Sequence, residues 1–145
     1  MLKIKPPLYM IGKKVYCWRC ETKMTVIALL APQVENAYDE VYTISGIKKI
    51  PDNVRFFIQS KVPTFLFRYS KTVEGKYFAN TCPRCKVIYG DFFLHDEPGA
   101  PFFPANEEDA KLLYIKEIPL DEPIEIEGGA GSGTGEMILK HGIRV

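Results

Sequence analysis

All four cysteines of this 145-residue chain occur in two Cys-x-x-Cys pairs. The pairs are Cys17/Cys20 and Cys82/Cys85, so no cysteine is left over. A two-residue spacer lets both sulfurs of a pair turn toward one point, and two such pairs supply the four thiolates of a tetrahedral zinc site. Each pair lies between strand-like segments and can form the tip of a hairpin. The spacing therefore predicts one structural Zn²⁺ bound by these four side chains.

Other uses of the same cysteines stay open at this stage. A redox-active Cys-x-x-Cys is expected at the N-terminus of a helix, where the helix dipole lowers the thiol pKa. Here Cys20 leads into a β-branched segment and Cys85 into the strand-like residues 87–89, which disfavours redox chemistry. Structural disulfides are typical of secreted proteins. A rubredoxin-type or iron–sulfur centre uses the same four ligands, and spacing alone does not distinguish iron from zinc.

The two pairs, the second of which has the form Cys-Pro-x-Cys, resemble the zinc-ribbon class, in which two hairpin knuckles hold one zinc ion. The resemblance covers residues 13–31 and 76–90. Zinc knuckles often have glycine directly after the second cysteine, whereas this chain has Glu21 and Lys86, so we expect less regular turns. The 61 residues between the pairs exceed a minimal ribbon. The resemblance implies a closed, non-catalytic metal and a role in binding nucleic acids, partner proteins or larger enzyme assemblies.

The apolar patterning predicts an α+β fold, mainly antiparallel β with one or two short helices. Residues 13–31 are predicted to form a hairpin that carries the first cysteine pair in its turn. Residues 64–69 alternate like a half-buried strand, and residues 76–80 are predicted to return beside them. The best helix lies between Pro51 and Pro63. Its apolar residues at helical spacing are Val54, Phe57, Ile58 and Val62.

Length and composition indicate one ordinary folded domain, with 46% hydrophobic and 26% charged residues. The longest apolar run, residues 26–32, is far shorter than the ~20 residues that a membrane-spanning helix needs. The first residues lack the pattern of a secretory signal, so we expect a cytoplasmic protein without a membrane partner. The glycines at 128–135 do not form a P-loop. We predict a single domain over residues 1–127 and a glycine-rich connector and C-terminal tail over residues 128–145.

Charge is distributed unevenly along the chain. Residues 1–90 hold 15 Lys or Arg against 6 Asp or Glu, and residues 91–145 hold 4 against 12. This asymmetry favours a polyanionic partner, unless the two parts pack together and neutralise each other. In a nucleic-acid complex, basic side chains would contact phosphates and an exposed aromatic ring would stack on a base. The candidate residues at or near the cysteine turns are Trp18, Arg19, Arg84, Lys86, Lys14, Lys23 and Arg68.

The stretch from Phe92 to Pro104 carries four phenylalanines among prolines and glycines. It is predicted to pack on the core, or to offer an apolar surface to a protein partner where its phenylalanines are exposed. Nearby Asp91, His95 and Glu97 could form an acid–base or second metal site, although no nucleophile or hydrolase motif accompanies them and a polar turn also explains them.

These observations rank three hypotheses about function. The first is a small zinc-stabilised binding protein with a protein partner, of the adaptor, inhibitor or immunity type. The second is a nucleic-acid-binding zinc-ribbon protein that uses the basic residues of 1–90. The third is an enzyme with its site around Asp91, His95 and Glu97. The sequence itself indicates no catalytic residue and no oligomeric state.

Overall fold

Ten strands and four short helices make up the computed structural model, which describes residues 1–145. The strands are β1 (Leu2–Ile4), β2 (Leu8–Tyr16), β3 (Lys23–Ala31), β4 (Tyr42–Lys49), β5 (Phe65–Ser70), β6 (Gly75–Thr81), β7 (Ile88–Tyr89), β8 (Tyr114–Ile118), β9 (Ile124–Gly131) and β10 (Ile143–Arg144). The helices are α1 (Asp52–Lys61), α2 (Asp91–His95), α3 (Glu107–Ala110) and α4 (Gly135–His141). A seven-stranded sheet has the order β1-β9-β4-β3-β2-β8-β10 and a three-stranded sheet the order β5-β6-β7. All neighbouring strands are antiparallel except β8 and β10, which are parallel.

The central strand β3 is buried on both of its faces. Side chains alternate along a strand, so its two faces enter two different apolar clusters. One cluster takes Met24, Val26, Ala28 and Leu30, and the other takes Ile27, Leu29 and Ala31. A strand covered on both faces needs apolar residues at every position, which explains the unbroken apolar run in the sequence. Burial of each large aliphatic side chain contributes roughly 1.5–3 kcal/mol.

Helix α1 covers one face of the seven-stranded sheet. It begins after Pro51 and ends before Pro63, as the sequence predicts, and it buries Val54 and Ile58 against the sheet. Proline suits the start of a helix because the first N–H groups have no partner within it, and a second proline cannot continue the helix. The other face is covered by Phe102, by Leu94 of α2 and by Ile138 of α4. The buried Cys17 and Cys82 belong to the same apolar cluster.

Strands β3 and β4 separate after three residue pairs, and side chains from elsewhere fill the gap. The register of β4 shifts around Gly46, which has φ +58°. On the β3 side, Asn80 of β6 donates to the Ile27 carbonyl at 3.0 Å and accepts from the Ile27 N–H at 2.8 Å. On the β4 side, Asp91 accepts from the Gly46 N–H at 2.7 Å. These side chains satisfy backbone groups that lack a ladder partner, and they dock the three-stranded sheet and α2 onto the gap.

The C-terminal segment is more ordered than the connector and tail predicted for residues 128–145. Residues 129–131 pair with residues 43–45 of β4, and β10 pairs with β8. The glycines allow close packing there. A Cβ at Gly135 would lie 2.2 Å from the Val41 carbonyl oxygen, and one at Gly142 would lie 2.6 Å from the Ile115 side chain. The glycine content therefore reflects tight contacts as well as turns.

The architecture is α+β with mostly antiparallel strands, as predicted, but the number of helices is corrected from one or two to four. Helices of four to seven residues, such as α2, α3 and α4, are too short to leave a repeated apolar pattern in the sequence. No helix is long and apolar enough to cross a membrane.

Candidate metal centre

The first cysteine pair lies in the turn that joins β2 to β3. The Cys17 N–H donates to the Thr22 carbonyl at 2.8 Å, and the Glu21 N–H donates to the Cys17 carbonyl at 3.0 Å. Glu21 has φ +62°, in the left-handed region where glycine is the usual residue. The backbone therefore takes the glycine conformation without a glycine.

The second pair repeats these contacts in the turn between β6 and β7. The Cys82 N–H donates to the Val87 carbonyl at 2.9 Å, and the Lys86 N–H donates to the Cys82 carbonyl at 3.1 Å. Lys86 has φ +67°. The expectation of less regular turns is therefore wrong, because both non-glycine residues accept the left-handed conformation at a local cost of roughly 1–2 kcal/mol each.

The two turns bring all four sulfur atoms together. The Sγ atoms of Cys17 and Cys85 lie 3.6 Å apart, as do those of Cys20 and Cys82, and all four lie within 4.8 Å of one another. A tetrahedral site with metal–sulfur distances of about 2.3 Å has sulfur–sulfur distances of about 3.8 Å. The four cysteines are free thiols, and their spacing fits a single metal ion.

Hydrogen bonds in the first turn reach the sulfur atoms of both of its cysteines. The Arg19 N–H donates to the Cys17 Sγ at 3.4 Å. Hydrogen bonds with the Thr22 hydroxyl and backbone lower the pKa of Cys20 to about 6. The thiolate is the form of cysteine that binds metals, so these contacts suit a metal ligand.

In the second turn, the pKa values of the two cysteines shift in opposite directions. Burial raises the pKa of Cys82, but the N–H groups of Cys85 and Arg84 lower it by more, and the net shift is downward. The Val87 N–H lowers the pKa of Cys85, but burial and the three neighbouring cysteines raise it by more, to about 11. Like charges this close resist ionising together, and a bound cation would offset their repulsion.

Each cysteine pair belongs to a different sheet. Cys17 and Cys20 follow a strand of the seven-stranded sheet, and Cys82 and Cys85 follow a strand of the three-stranded sheet. Trp18 also connects the two turns, because its indole N–H donates to the Ile88 carbonyl at 3.1 Å although 60% of the residue is exposed. An ion bound by the four cysteines would therefore link the two sheets directly.

The basic residues near the cysteine turns do not form one free cluster. Lys86 donates to the Pro83 carbonyl at 2.7 Å, and the Arg68 guanidinium donates to the Lys86 carbonyl. Arg19 and Arg84 are exposed, with no carboxylate within 4.0 Å. Two of the predicted nucleic-acid contacts are thus already engaged with the protein backbone.

Ion pairs do not join the basic and acidic parts of the chain. Within 4.0 Å, those present are Lys3–Glu35, Arg55–Asp52, Lys111–Glu108 and His141–Glu107. Each lies wholly within residues 1–90 or wholly within residues 91–145. Direct pairing therefore does not neutralise the excess positive charge of residues 1–90.

Of the three predicted acid–base residues, the structure brings two together and leaves the third apart. Asp91 and His95 line the same small cavity of about 10 Å³, whereas Glu97 lies outside it. Burial raises the pKa of Asp91 to about 6 and lowers that of His95 to about 4. Such a cavity is too small for a substrate, and Asp91 is engaged with the Gly46 backbone. The Asp91 side chain joins α2 to the sheet, and the His95 ring lies 5.2 Å from the Phe102 ring.

The four phenylalanines between Phe92 and Pro104 differ in burial, and Phe103 is half-buried. Phe102 is 1% exposed and packs in the core beside α2, whereas Phe92 and Phe93 are 59% and 68% exposed. The exposed rings meet edge to face, with centroids 5.6 Å apart, beside a hollow of about 360 Å³ that Glu97 also lines. Only part of this stretch packs on the core.

A groove of about 530 Å³ contains none of the cysteines, none of the candidate acid–base residues and none of the phenylalanines of residues 92–104. Its lining includes Lys48, Lys49, Arg55, Phe67 and Phe78, which come from the end of β4, from α1 and from two strands of the small sheet. The chain separates these residues by up to 30 positions, so no local motif unites them. In the sequence, the only signals for this groove are the two adjacent lysines and the alternating aromatic residues of β5.

Comparisons with protein-family models, with curated proteins and with solved structures find no match to this chain. The candidate metal ligands are therefore identified by their geometry in this structure, together with the spacing of the cysteines.

Proposed function

We propose that Cys17, Cys20, Cys82 and Cys85 bind one Zn²⁺ in a two-knuckle, zinc-ribbon-like site. The proposal is supported chiefly by the four sulfur atoms, which lie within 4.8 Å of one another on two turns with equivalent backbone hydrogen bonds. A closed set of four cysteines on hairpin turns is a common structural zinc site. The zinc would hold the three-stranded sheet on the seven-stranded sheet.

The proposed zinc has no catalytic role, because four thiolates leave no coordination position for water or substrate. The protein would act by binding a partner. Zinc would contribute to that function indirectly, since structural metal binding is coupled to folding and keeps the surfaces of both sheets in place.

Metal analysis of the full chain, purified without a metal-affinity column, tests the proposal. We expect one zinc per chain and little iron. The double variant Cys82→Ser/Cys85→Ser should lose the metal and unfold at lower temperature. Thr72→Ala, at an exposed residue between β5 and β6, is a control that keeps all four sulfurs and their contacts and should keep the zinc. One iron per chain would contradict the choice of metal, and a metal-free, fully stable wild-type protein would contradict the site.

A protein partner remains a candidate because Phe92 and Phe93 are exposed next to each other. Exposed aromatic pairs are typical of interaction surfaces. We expect a protein partner to be cross-linked to the wild-type protein but not to the double variant Phe92→Ala/Phe93→Ala. The control variant Phe56→Ala removes an exposed phenylalanine of α1 and should still be cross-linked to the partner. Equal loss with both variants would contradict binding at this pair.

A further inference from the structure

We propose that the groove lined by Lys48, Lys49, Arg55, Phe67 and Phe78 binds single-stranded nucleic acid, with a base stacked on Phe67 and phosphates held by the cationic side chains. This inference rests on the proposed binding function and names its partner and surface. The sequence-based hypothesis assigned nucleic-acid binding to the basic residues of 1–90, with candidate contacts at or near the cysteine turns, and the present inference places the binding at the groove.

The aromatic part of the groove is an exposed face of the three-stranded sheet. Phe67 and Phe78 are direct cross-strand partners, their ring centroids lie 5.0 Å apart, and Phe67 is 48% exposed. The next pair on the same face, Tyr69 and Lys76, is also exposed. Aromatic rings on an open sheet surface are suited to stacking with unpaired bases.

The aromatic face continues into the core at its other end. Phe65 stacks on Phe78 with centroids 5.8 Å apart and is itself buried in the apolar cluster that also contains Val54 and Ile58 of α1. Phe78 is thereby held between a buried ring and the exposed Phe67. A platform fixed in this way loses little side-chain freedom on binding, which favours affinity.

Positive charge lies beside these rings. Lys48 and Lys49 are exposed, and no carboxylate lies within 4.0 Å of either, although Glu127 is opposite Lys49 in the strand register. Arg55 pairs with Asp52 at 3.2 Å, but the Asp52 side chain is 80% exposed, and such a pair is weak. The groove lining therefore carries three cations against one carboxylate.

The charge and the aromatic lining of the groove favour a nucleic acid strand as its ligand. A nucleic acid strand presents flat apolar bases and regularly spaced phosphates together, which matches rings beside cations. The excess positive charge of residues 1–90 is not paired with the acidic part of the chain, so it remains available to a polyanion. The groove is open at the surface, which allows a strand to continue past it.

Fluorescence anisotropy with labelled 12-nucleotide oligo-dT and oligo-U, at several salt concentrations, tests the inference on the zinc-loaded full chain. Three phosphate contacts on a single strand predict a slope of about −2 for log K against log salt. Phe67→Ala should weaken binding about ten-fold and leave the slope unchanged. Lys48→Ala/Lys49→Ala should make the slope less steep by about 1.4. Stronger binding of one oligonucleotide would identify whether DNA or RNA is preferred.

Matched controls separate this groove from the other candidate surfaces. Lys14→Ala/Lys23→Ala removes two lysines near the first cysteine turn, and Phe92→Ala removes an exposed phenylalanine outside the groove. Both should bind as wild type. Equal losses in either control, a Phe67→Ala variant that binds as wild type, or no binding by wild type at 50 mM salt would overturn the inference.

Zinc content and thermal unfolding of the same variants separate the two proposals. If the wild-type protein contains one zinc and is stable but does not bind the oligonucleotides, the groove inference fails and the zinc proposal stands. If Phe67→Ala is unstable, Lys48→Ala/Lys49→Ala decides the question, because exposed lysines contribute little to folding.

Discussion

The seven-stranded and three-stranded sheets bury their side chains to different extents. The large sheet is covered on both faces, and its central strand is apolar at nearly every position. The small sheet includes a strand of only two residues and leaves Phe67 and Tyr69 exposed. A sheet of this size is marginal alone, so its attachment to the large sheet matters more than its own packing. Its outer face stays exposed at these two aromatic residues.

The largest expected difference between the sheets follows metal removal. We expect a chelator to lower the stability of β5–β7 toward local opening by about 3 kcal/mol or more, while β2 and β3 stay protected, because the proposed zinc links the small sheet to the large one. Hydrogen exchange resolved by peptide measures this. Equal loss of protection in both sheets would show that they unfold as one unit, and would contradict a separate opening of the small sheet.

The next largest effect is expected at Asn80, whose side chain joins the small sheet to β3. Asn80→Ala removes both hydrogen bonds to Ile27 and leaves two buried backbone groups unpaired, which should cost about 2–4 kcal/mol. Gln59→Ala is a suitable control because it removes one half-buried bond to the Phe65 carbonyl and should cost about 1 kcal/mol. Urea unfolding measures both. Similar losses would contradict a special role for Asn80.

Asp91 and His95, at the two ends of α2, predict opposite pH dependences for two variants. Between about pH 4 and pH 6, folding raises proton binding at Asp91 and lowers it at His95, so their contributions to wild-type stability nearly cancel. In Asp91→Asn the His95 contribution remains, and the free energy of unfolding should rise with pH by about 2–3 kcal/mol. In His95→Gln the Asp91 contribution remains, and stability should fall over the same range.

Each variant is compared with wild type at the same pH, because loss of metal at low pH affects all three proteins. Urea unfolding in half-unit pH steps gives the difference curves. Two difference curves with the same sign of slope would contradict the burial of these groups as a pair.

The smallest expected effect concerns the cysteine turns themselves. Glu21→Gly relieves a left-handed non-glycine residue and should stabilise the protein by about 1 kcal/mol. Glu74→Gly, at φ +58° in the turn between β5 and β6, is a control outside the metal site with the same expected gain. Thermal unfolding compares the two. A destabilised Glu21→Gly with a stabilised Glu74→Gly would mean that the Glu21 side chain supports the site.

Local sequence patterns predicted α1 and the convergence of the four cysteines. The cysteine turns require only a few adjacent residues, and their spacing is visible directly. The helix is bounded by Pro51 and Pro63 and carries its own apolar stripe. The same patterns missed α2 and the strand of residues 128–131, because short elements are stabilised mainly by the contacts that they make with the sheet.

The sequence by itself determined the two Cys-x-x-Cys turns and the apolar strands of the large sheet, because each of these depends on residues that are close together in the chain. The tertiary structure alone decided where β3 and β4 separate, which side chains fill that gap, and that Lys48, Lys49 and Phe67 line one groove. Those features depend on residues distant in sequence, which only the packing of two sheets brings together.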